Sequence, residues 1–236
     1  MTAIAWVTGA GKGIGRQVAL ELAREGWLVA VSARTISDLS SLVKEAHSFK
    51  GSIKEYPADV TDEKRVKEIL YAIENDLGAI DLAILNAGTY LRFGVAEFSV
   101  KSFSKQWDIN VMGTVTCFVH ILKKMKDRKT GHIVVVSSLS AYRGLPLASA
   151  YGASKAAIDL YMQERMANEK VTGFVTRAFS HTGPRRGRIF SISSDAYQIA
   201  KMMCGSDSRT LRVGNLNTER VVIDVRDCVN AYYLLM

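Results

Sequence analysis

The sequence has too little cysteine for a disulfide framework. Three residues, Cys117, Cys204 and Cys228, are spread through 236 positions, odd in number and far apart. Such thiols suit a reducing compartment, so a cytoplasmic location is expected. No apolar run is long enough to span a bilayer, and no membrane partner is expected. The first apolar residues have no charged segment ahead of them, which argues against a secretory leader. Repeats, low-complexity stretches and linkers are missing too, so residues 1–236 read as a single domain of ample core size. The net charge of +8 would suit nucleic acid, but the basic residues are scattered. The exceptions are Lys123-Lys124-Met125-Lys126 and Arg185-Arg186-Gly187-Arg188, and no nucleic-acid-binding motif accompanies them. Solvated surface plus attraction for an anionic cofactor explains the charge better. No nucleic-acid partner and no metal are expected.

What the chain does have is a regular alternation of apolar runs and helical patterns. Strands are predicted over 3–7, 28–33, 52–57, 80–85, 132–137 and 172–178. Helices are predicted near 14–25, 36–48, 62–77, 100–126, 149–168, 194–204 and 226–236. Leu82-Ala83-Ile84-Leu85 and Ile133-Val134-Val135-Val136 are apolar without alternation, as strands covered on both faces are. Repeated β-α order then implies an α/β fold, a doubly wound parallel sheet with helices on both faces and right-handed crossovers. Gly26, Gly78 and Gly131 mark helix ends.

The stretch Thr8-Gly9-Ala10-Gly11-Lys12-Gly13-Ile14-Gly15 lies where the first strand meets the first helix. Unpaired N–H groups and the positive end of the helix dipole make such a turn a pyrophosphate site. The G-x-G-x-x-G fingerprint does not fit, because Ile14 stands where its last glycine belongs. The pattern that fits is T-G-x-x-x-G-x-G, on Thr8, Gly9, Gly13 and Gly15. The acid that usually ends the second strand of a Rossmann-type NAD site is also missing. Val31-Ser32-Ala33-Arg34-Thr35 offers Arg34 beside that place, and Lys12 adds a second cation. A guanidinium there can pair with a 2′-phosphate.

Tyr151-Gly152-Ala153-Ser154-Lys155 is Y-x-x-x-K, and residues four apart share a helix face. A nearby ammonium favours phenolate, lowering the phenol towards the range useful in acid–base catalysis. Ser138, in the pair Ser137-Ser138 that ends the fifth strand, lies thirteen residues before Tyr151.

Together these motifs resemble the short-chain dehydrogenase/reductase family, up to about Lys155. The resemblance implies an NADP(H)-dependent oxidoreductase acting on a small carbonyl or alcohol substrate. It implies a tetrad of Asn110, Ser138, Tyr151 and Lys155. In this reading Ser138 hydrogen-bonds the carbonyl, and Asn110 holds a water linked to Lys155. The cofactor would be bound by Thr8, Gly9, Gly11, Lys12, Gly13, Ile14, Gly15, Arg34, Asp59, Val60, Asn86, Ala87, Gly88, Tyr151 and Lys155. Asp59-Val60 would meet the adenine, and Asn86-Ala87-Gly88 matches the family's N-A-G element. Related enzymes pair through the helices that here span 100–126 and 149–168. A homodimer or homotetramer is therefore expected, with Val115, Phe118, Ile158, Leu160 and Met162 as candidate contacts.

After Lys155 the pattern changes. The series from Arg177-Ala178-Phe179-Ser180-His181-Thr182-Gly183-Pro184 to Asp224-Val225-Arg226-Asp227 is similar to the GDP-mannose 4,6-dehydratase group of the extended branch. Ser180 stands for that group's Asn, Arg220 is kept, and Val221 replaces an Asp. That group's substrate domain continues well past the position of Met236, so a shortened tail is expected, of natural, truncated or engineered origin. Residues 181–236 read either as a closing segment or as a nucleotide-sugar site using Arg185, Arg186 and Arg220. The group's catalytic Glu falls on Ser140, and no Asp or Glu lies between Asp127 and Asp159. Carbonyl reduction is therefore expected rather than GDP-hexose dehydration, with a nucleotide-sugar (GDP-hexose) reductase or dehydratase-like enzyme and a non-catalytic NADP-binding regulator as alternatives.

Overall fold

The computed structural model describes residues 2–169, 172–178, 180–184, 190–205, 210–214, 217 and 222–235. Arg185, Arg186, Arg220 and Val221 lie outside the described residues. Six strands form one sheet: β1 (Ile4–Thr8), β2 (Leu28–Ser32), β3 (Ser52–Glu55), β4 (Leu82–Leu85), β5 (His132–Val136) and β6 (Thr172–Thr176). Their order is β3-β2-β1-β4-β5-β6 and every pairing is parallel. The order reverses between β1 and β4, and that reversal opens the crevice in which such sheets bind ligands. A two-residue pair, β7 (His181–Thr182) with β8 (Ile223–Asp224), lies apart from the sheet.

Side chains alternate across the strands into two cores. Ala5 and Val7 of β1 join the buried residues of α1 (Gly13–Arg24), α2 (Ile36–Glu45) and α8 (Val225–Leu235). Ile4 and Trp6 join those of α3 (Glu63–Asp76), α5 (Gly113–Arg128) and α6 (Ser149–Glu169). Helices thus cover both faces, as the unbroken apolar strands require. Trp6 is fully buried and its indole N–H donates to Ser32 Oγ at 3.0 Å, so no polar atom is left over. The tail returns to the core: Val225, Cys228, Val229 and Tyr232 of α8 pack with α1.

Several boundaries shift for local reasons. β3 stops at Glu55 rather than 57, although Tyr56 N and Ala58 N still donate to the Val31 and Ala33 carbonyls. β4 begins at Leu82 rather than 80, because Asp81 turns its carboxylate to the Ile4 N–H at 2.9 Å. The helix predicted over 100–126 is two helices, α4 (Val100–Trp107) and α5, joined by one π-helical turn, Asp108–Met112. The helix expected from 194 starts earlier, as α7 (Ser191–Met203).

The candidate dimer contacts need correction. Phe118, Ile158 and Met162 are fully buried against the sheet, and Val115 packs partly onto the same core. Of the five, Leu160 alone projects into solvent, 70% exposed. Val119 and Met112 are further exposed apolar residues on this side of the molecule.

Candidate active site

The carboxyl ends of β1 and β4 are stitched together by two side chains. Thr8 Oγ1 accepts from the N–H groups of Asn86 and Ala87 at 3.0 and 3.1 Å. Asn86 Nδ2 donates to the carbonyls of Thr8 and Gly9 at 3.0 and 3.1 Å. This approach tolerates no side chain on the glycine turn. A Cβ on Gly9 would meet Ala87 Cα at 2.7 Å, and one on Gly15 would meet Asn86 Nδ2 at 2.3 Å. Gly9 also has φ +66, a region that L side chains rarely adopt. The N-terminus of α1 carries no side-chain cap and no acid in its first turn. A Cβ on Gly13 would meet nothing within 4 Å, so the space beside that end is open. Free N–H donors, an uncompensated dipole and open space fit a pyrophosphate.

At the neighbouring strand ends, both predicted cations already face carboxylates. Lys12 Nζ lies 3.3 Å from Asp38 Oδ2, and Arg34 Nη1 lies 3.8 Å from Asp59 Oδ2. Both cationic side chains are 62% exposed, and exposed pairs of this kind hold together weakly. They can open to an anion of higher charge. Asp59 Oδ1 also takes the N–H and hydroxyl of Thr61. Val60 is buried, and its Cγ2 would touch a Cβ on Gly113 at 2.5 Å, so Val60 packs into α5.

The tetrad residues converge from three elements, since Tyr151 and Lys155 share α6. Asn110 sits fully buried in the π-helical turn. Its Oδ1 accepts from Thr89 N at 2.7 Å, and its Nδ2 donates to Thr89 O at 3.0 Å and to Ser154 Oγ at 2.9 Å. It therefore ties the loop after Gly88 to α6. Ser138 caps the 3-10 turn Leu139–Ala141, accepting from Ser140 N at 3.1 Å. Lys155 Nζ is buried and donates to Val136 O at 2.9 Å, 5.9 Å from the Tyr151 ring centre. Burial lowers the Lys155 ammonium to about 8, with the Asp159 carboxylate opposing.

The expected lowering of the Tyr151 phenol is not what this site shows. Burial pushes Tyr151 upward, a hydrogen bond with Ser138 pulls it back, and Tyr90 adds to the rise. Burial is the largest cause, and Lys155, itself desolvated, is turned to a backbone carbonyl rather than to the phenol.

Five further residues shape the site. Gln106, one helical turn before Asn110, is fully buried and accepts from Leu91 N at 2.9 Å, while its Nε2 has no partner among the described residues. The four-residue spacing to Asn110 is its sequence signal. Asp159, one turn past Lys155, is buried in a two-pronged pair with Arg177, at 2.9 and 2.8 Å. Tyr90 packs against Tyr151, ring centres 4.8 Å apart at 84°. Leu147, four residues before Tyr151, takes φ +63. A leucine held there carries roughly 1–2 kcal/mol of strain. Neither Leu147's conformation nor the pairing of Asp159 with Arg177 had a local sequence signal.

No cluster of three metal-ligating side chains occurs among the described residues, and none of their helices is long and apolar enough to cross a membrane.

Comparison with known proteins agrees with this geometry. The model of the short chain dehydrogenase family matches residues 3–184. An uncharacterized oxidoreductase of Myxococcus xanthus is 34% identical over 169 residues, covering 72% of this chain and 67% of that protein. L-sorbose reductase from Gluconobacter frateurii, solved with NADPH and L-sorbose, shares the fold at TM-score 0.80 and 18% identity, over 99% of this chain and 89% of its own. ElxO with NADP bound aligns at TM-score 0.79 and 25% identity, over 100% of this chain and 91% of its own. The ordered motifs, the stitched glycine turn and these likenesses agree: the chain belongs to the short-chain dehydrogenase/reductase family, and it is an oxidoreductase by kinship.

Proposed function

We propose that the protein is an NADP(H)-dependent carbonyl reductase or alcohol dehydrogenase that uses Tyr151 as its general acid and base. The observation that carries the reading is Tyr151 hydrogen-bonded to Ser138, with Lys155 one helical turn away, beside the stitched ends of β1 and β4. The glycine turn from Thr8 to Gly15 and the N-terminus of α1 would hold the pyrophosphate, with Asn86, Ala87 and Gly88 alongside. Arg34 and Lys12 would exchange Asp59 and Asp38 for a 2′-phosphate, which supports NADP over NAD. When bound, the nicotinamide supplies the hydride for reduction or accepts it in oxidation. Tyr151 gives its proton to the carbonyl oxygen, and Ser138 orients that oxygen as charge develops on it. Asn110 supports the site by bridging Thr89 and Ser154, with Lys155 buried beside it. The bound ligands of L-sorbose reductase and ElxO support a nicotinamide cofactor here.

Among the described residues around Ser138, dehydration of a GDP-hexose finds no base. Ser140 is buried at the position expected for Glu, and the next carboxylate along the chain, Asp159, is held by Arg177. Residues 181–236 act in this reading as a closing segment on the substrate side. We further propose self-association through the side of α5 and α6 that exposes Val119 and Leu160, and a cytoplasmic location consistent with three free cysteines. Fluorescence titration with NADPH and NADH, followed by a panel of aldehydes, ketones and 4-keto nucleotide sugars, tests the reaction. Binding of neither cofactor would overturn it. Sedimentation showing only monomer at micromolar concentration would overturn the assembly.

A further inference from the structure

Apolar side chains lie on the loops that flank Tyr151, half-buried or exposed. Tyr90, edge-on to Tyr151, also stacks on Phe190 at the start of α7, ring centres 5.9 Å apart at 20°. On the approach to α6, Leu145 and Leu147 are 43% and 49% exposed. Phe93 joins the two loops: its N–H donates to Leu147 O at 3.1 Å, and its ring meets that of Phe98 at 5.8 Å.

Leu147 is the telling residue. Its left-handed backbone suits glycine, yet a large apolar side chain is kept there and turned to solvent. The conformation is held from both sides, by Phe93 N on the Leu147 carbonyl and by Ala148 N on Leu145 O at 3.1 Å. Strain maintained near Tyr151 on a side chain left 49% exposed points to recognition rather than folding. Two of the nearby polar side chains are turned inward: buried Gln106 and Asn110 accept, through Oε1 and Oδ1, from the backbone N–H groups of Leu91 and Thr89. Glu97, which accepts from Gly94 N, is exposed, as are Arg92 and Arg143.

We propose that Tyr90, Leu145, Leu147 and Phe190 form the substrate-recognition surface, and that it takes a carbonyl compound bearing an apolar alkyl or aryl group rather than a polyhydroxylated chain. This rests on the reductase reading above. A sugar would leave its hydroxyls against apolar surface and lose their bonds to water, whereas an alkyl or aryl group removes its own apolar surface and the protein's from water.

The test compares an aryl alkyl ketone with a ketose, by NADPH oxidation and by calorimetric titration of the NADPH-loaded protein. The aryl alkyl ketone should show a kcat/KM at least about tenfold higher. Leu147→Gly should raise KM for that ketone about fivefold or more, leave kcat within about twofold, and not lower the unfolding midpoint. A purely structural Leu147 would instead change the midpoint and leave KM alone. A ketose used as well as the ketone, an unchanged KM in Leu147→Gly, or failure of the ketone to bind each overturns the inference. Binding of the ketone that Leu147→Gly weakens, with no turnover of any carbonyl, would refute the reductase reading and leave the recognition surface standing.

Discussion

Lys155 lies one helical turn beyond Tyr151, yet its ammonium donates to the carbonyl of Val136 at 2.9 Å, in a site where burial lowers it to about 8. A buried cation with one carbonyl partner burdens the fold, and only function explains its retention. Lys155→Met should therefore lose turnover by about a hundredfold or more. The same variant should melt higher at neutral pH, by roughly 2–4 °C for each kcal/mol regained. Thermal melts beside steady-state assays check this; a lower melting point would contradict it.

The same lysine sets a pH dependence of stability. Its folded value of about 8 lies below the ordinary 10.5, so between those limits the unfolded chain holds the proton and the folded chain does not. Stability contributed by this group therefore rises as pH climbs through that window, and the full penalty is present below it. Urea unfolding of the wild type and Lys155→Met from about pH 7 to 10 should show a gap that narrows with rising pH. A constant gap would show that Lys155 does not titrate there.

Arg34 and Asp59 form an exposed pair at 3.8 Å that a 2′-phosphate can displace. A guanidinium–phosphate contact is worth about 1.5–3 kcal/mol. Arg34→Ala should raise the NADPH dissociation constant about tenfold or more while changing the NADH constant little. Equal effects on both cofactors would remove Arg34 from the site.

The buried pair of Asp159 and Arg177 holds α6 to the end of β6. Arg177→Met leaves a buried carboxylate whose remaining side-chain partner is Gln163. The loss should be about 3 kcal/mol, and Arg177→Met with Asp159→Leu should recover much of it. Chemical denaturation of both variants measures the difference; a single variant as stable as wild type would show that the pair is not holding the helix.

The fold was legible because its signals are local. Apolar strands without alternation, glycine at helix ends and a glycine turn between β1 and α1 each act within a few residues. Tyr151 and Lys155 have a local signal in their spacing on one helix, and Ser138 has one in its place at a strand end, whereas Asn110 rested on the family resemblance alone. What was not legible depends on contacts made across the chain. The apolar residues of 149–168 do not say which face meets the sheet, and it is packing against Ile133 and Val135 of β5 that buries Ile158 and Met162. The π-helical turn at Asn110, the pairing of Asp159 with Arg177 and the strained backbone at Leu147 arise from tertiary packing, which overrides local preference. The direction of the Tyr151 shift was misread because spacing reports that Lys155 shares its face, not how deeply both groups are buried.

The most direct test of the central claim removes one oxygen. Tyr151→Phe keeps the ring that packs against Tyr90 and deletes the proton donor. NADPH affinity should stay within about threefold, because the hydroxyl is assigned to chemistry rather than to holding the phosphates, while single-turnover carbonyl reduction should fall about a hundredfold or more. Reduction by Tyr151→Phe at the wild-type rate, with cofactor bound, would contradict the account.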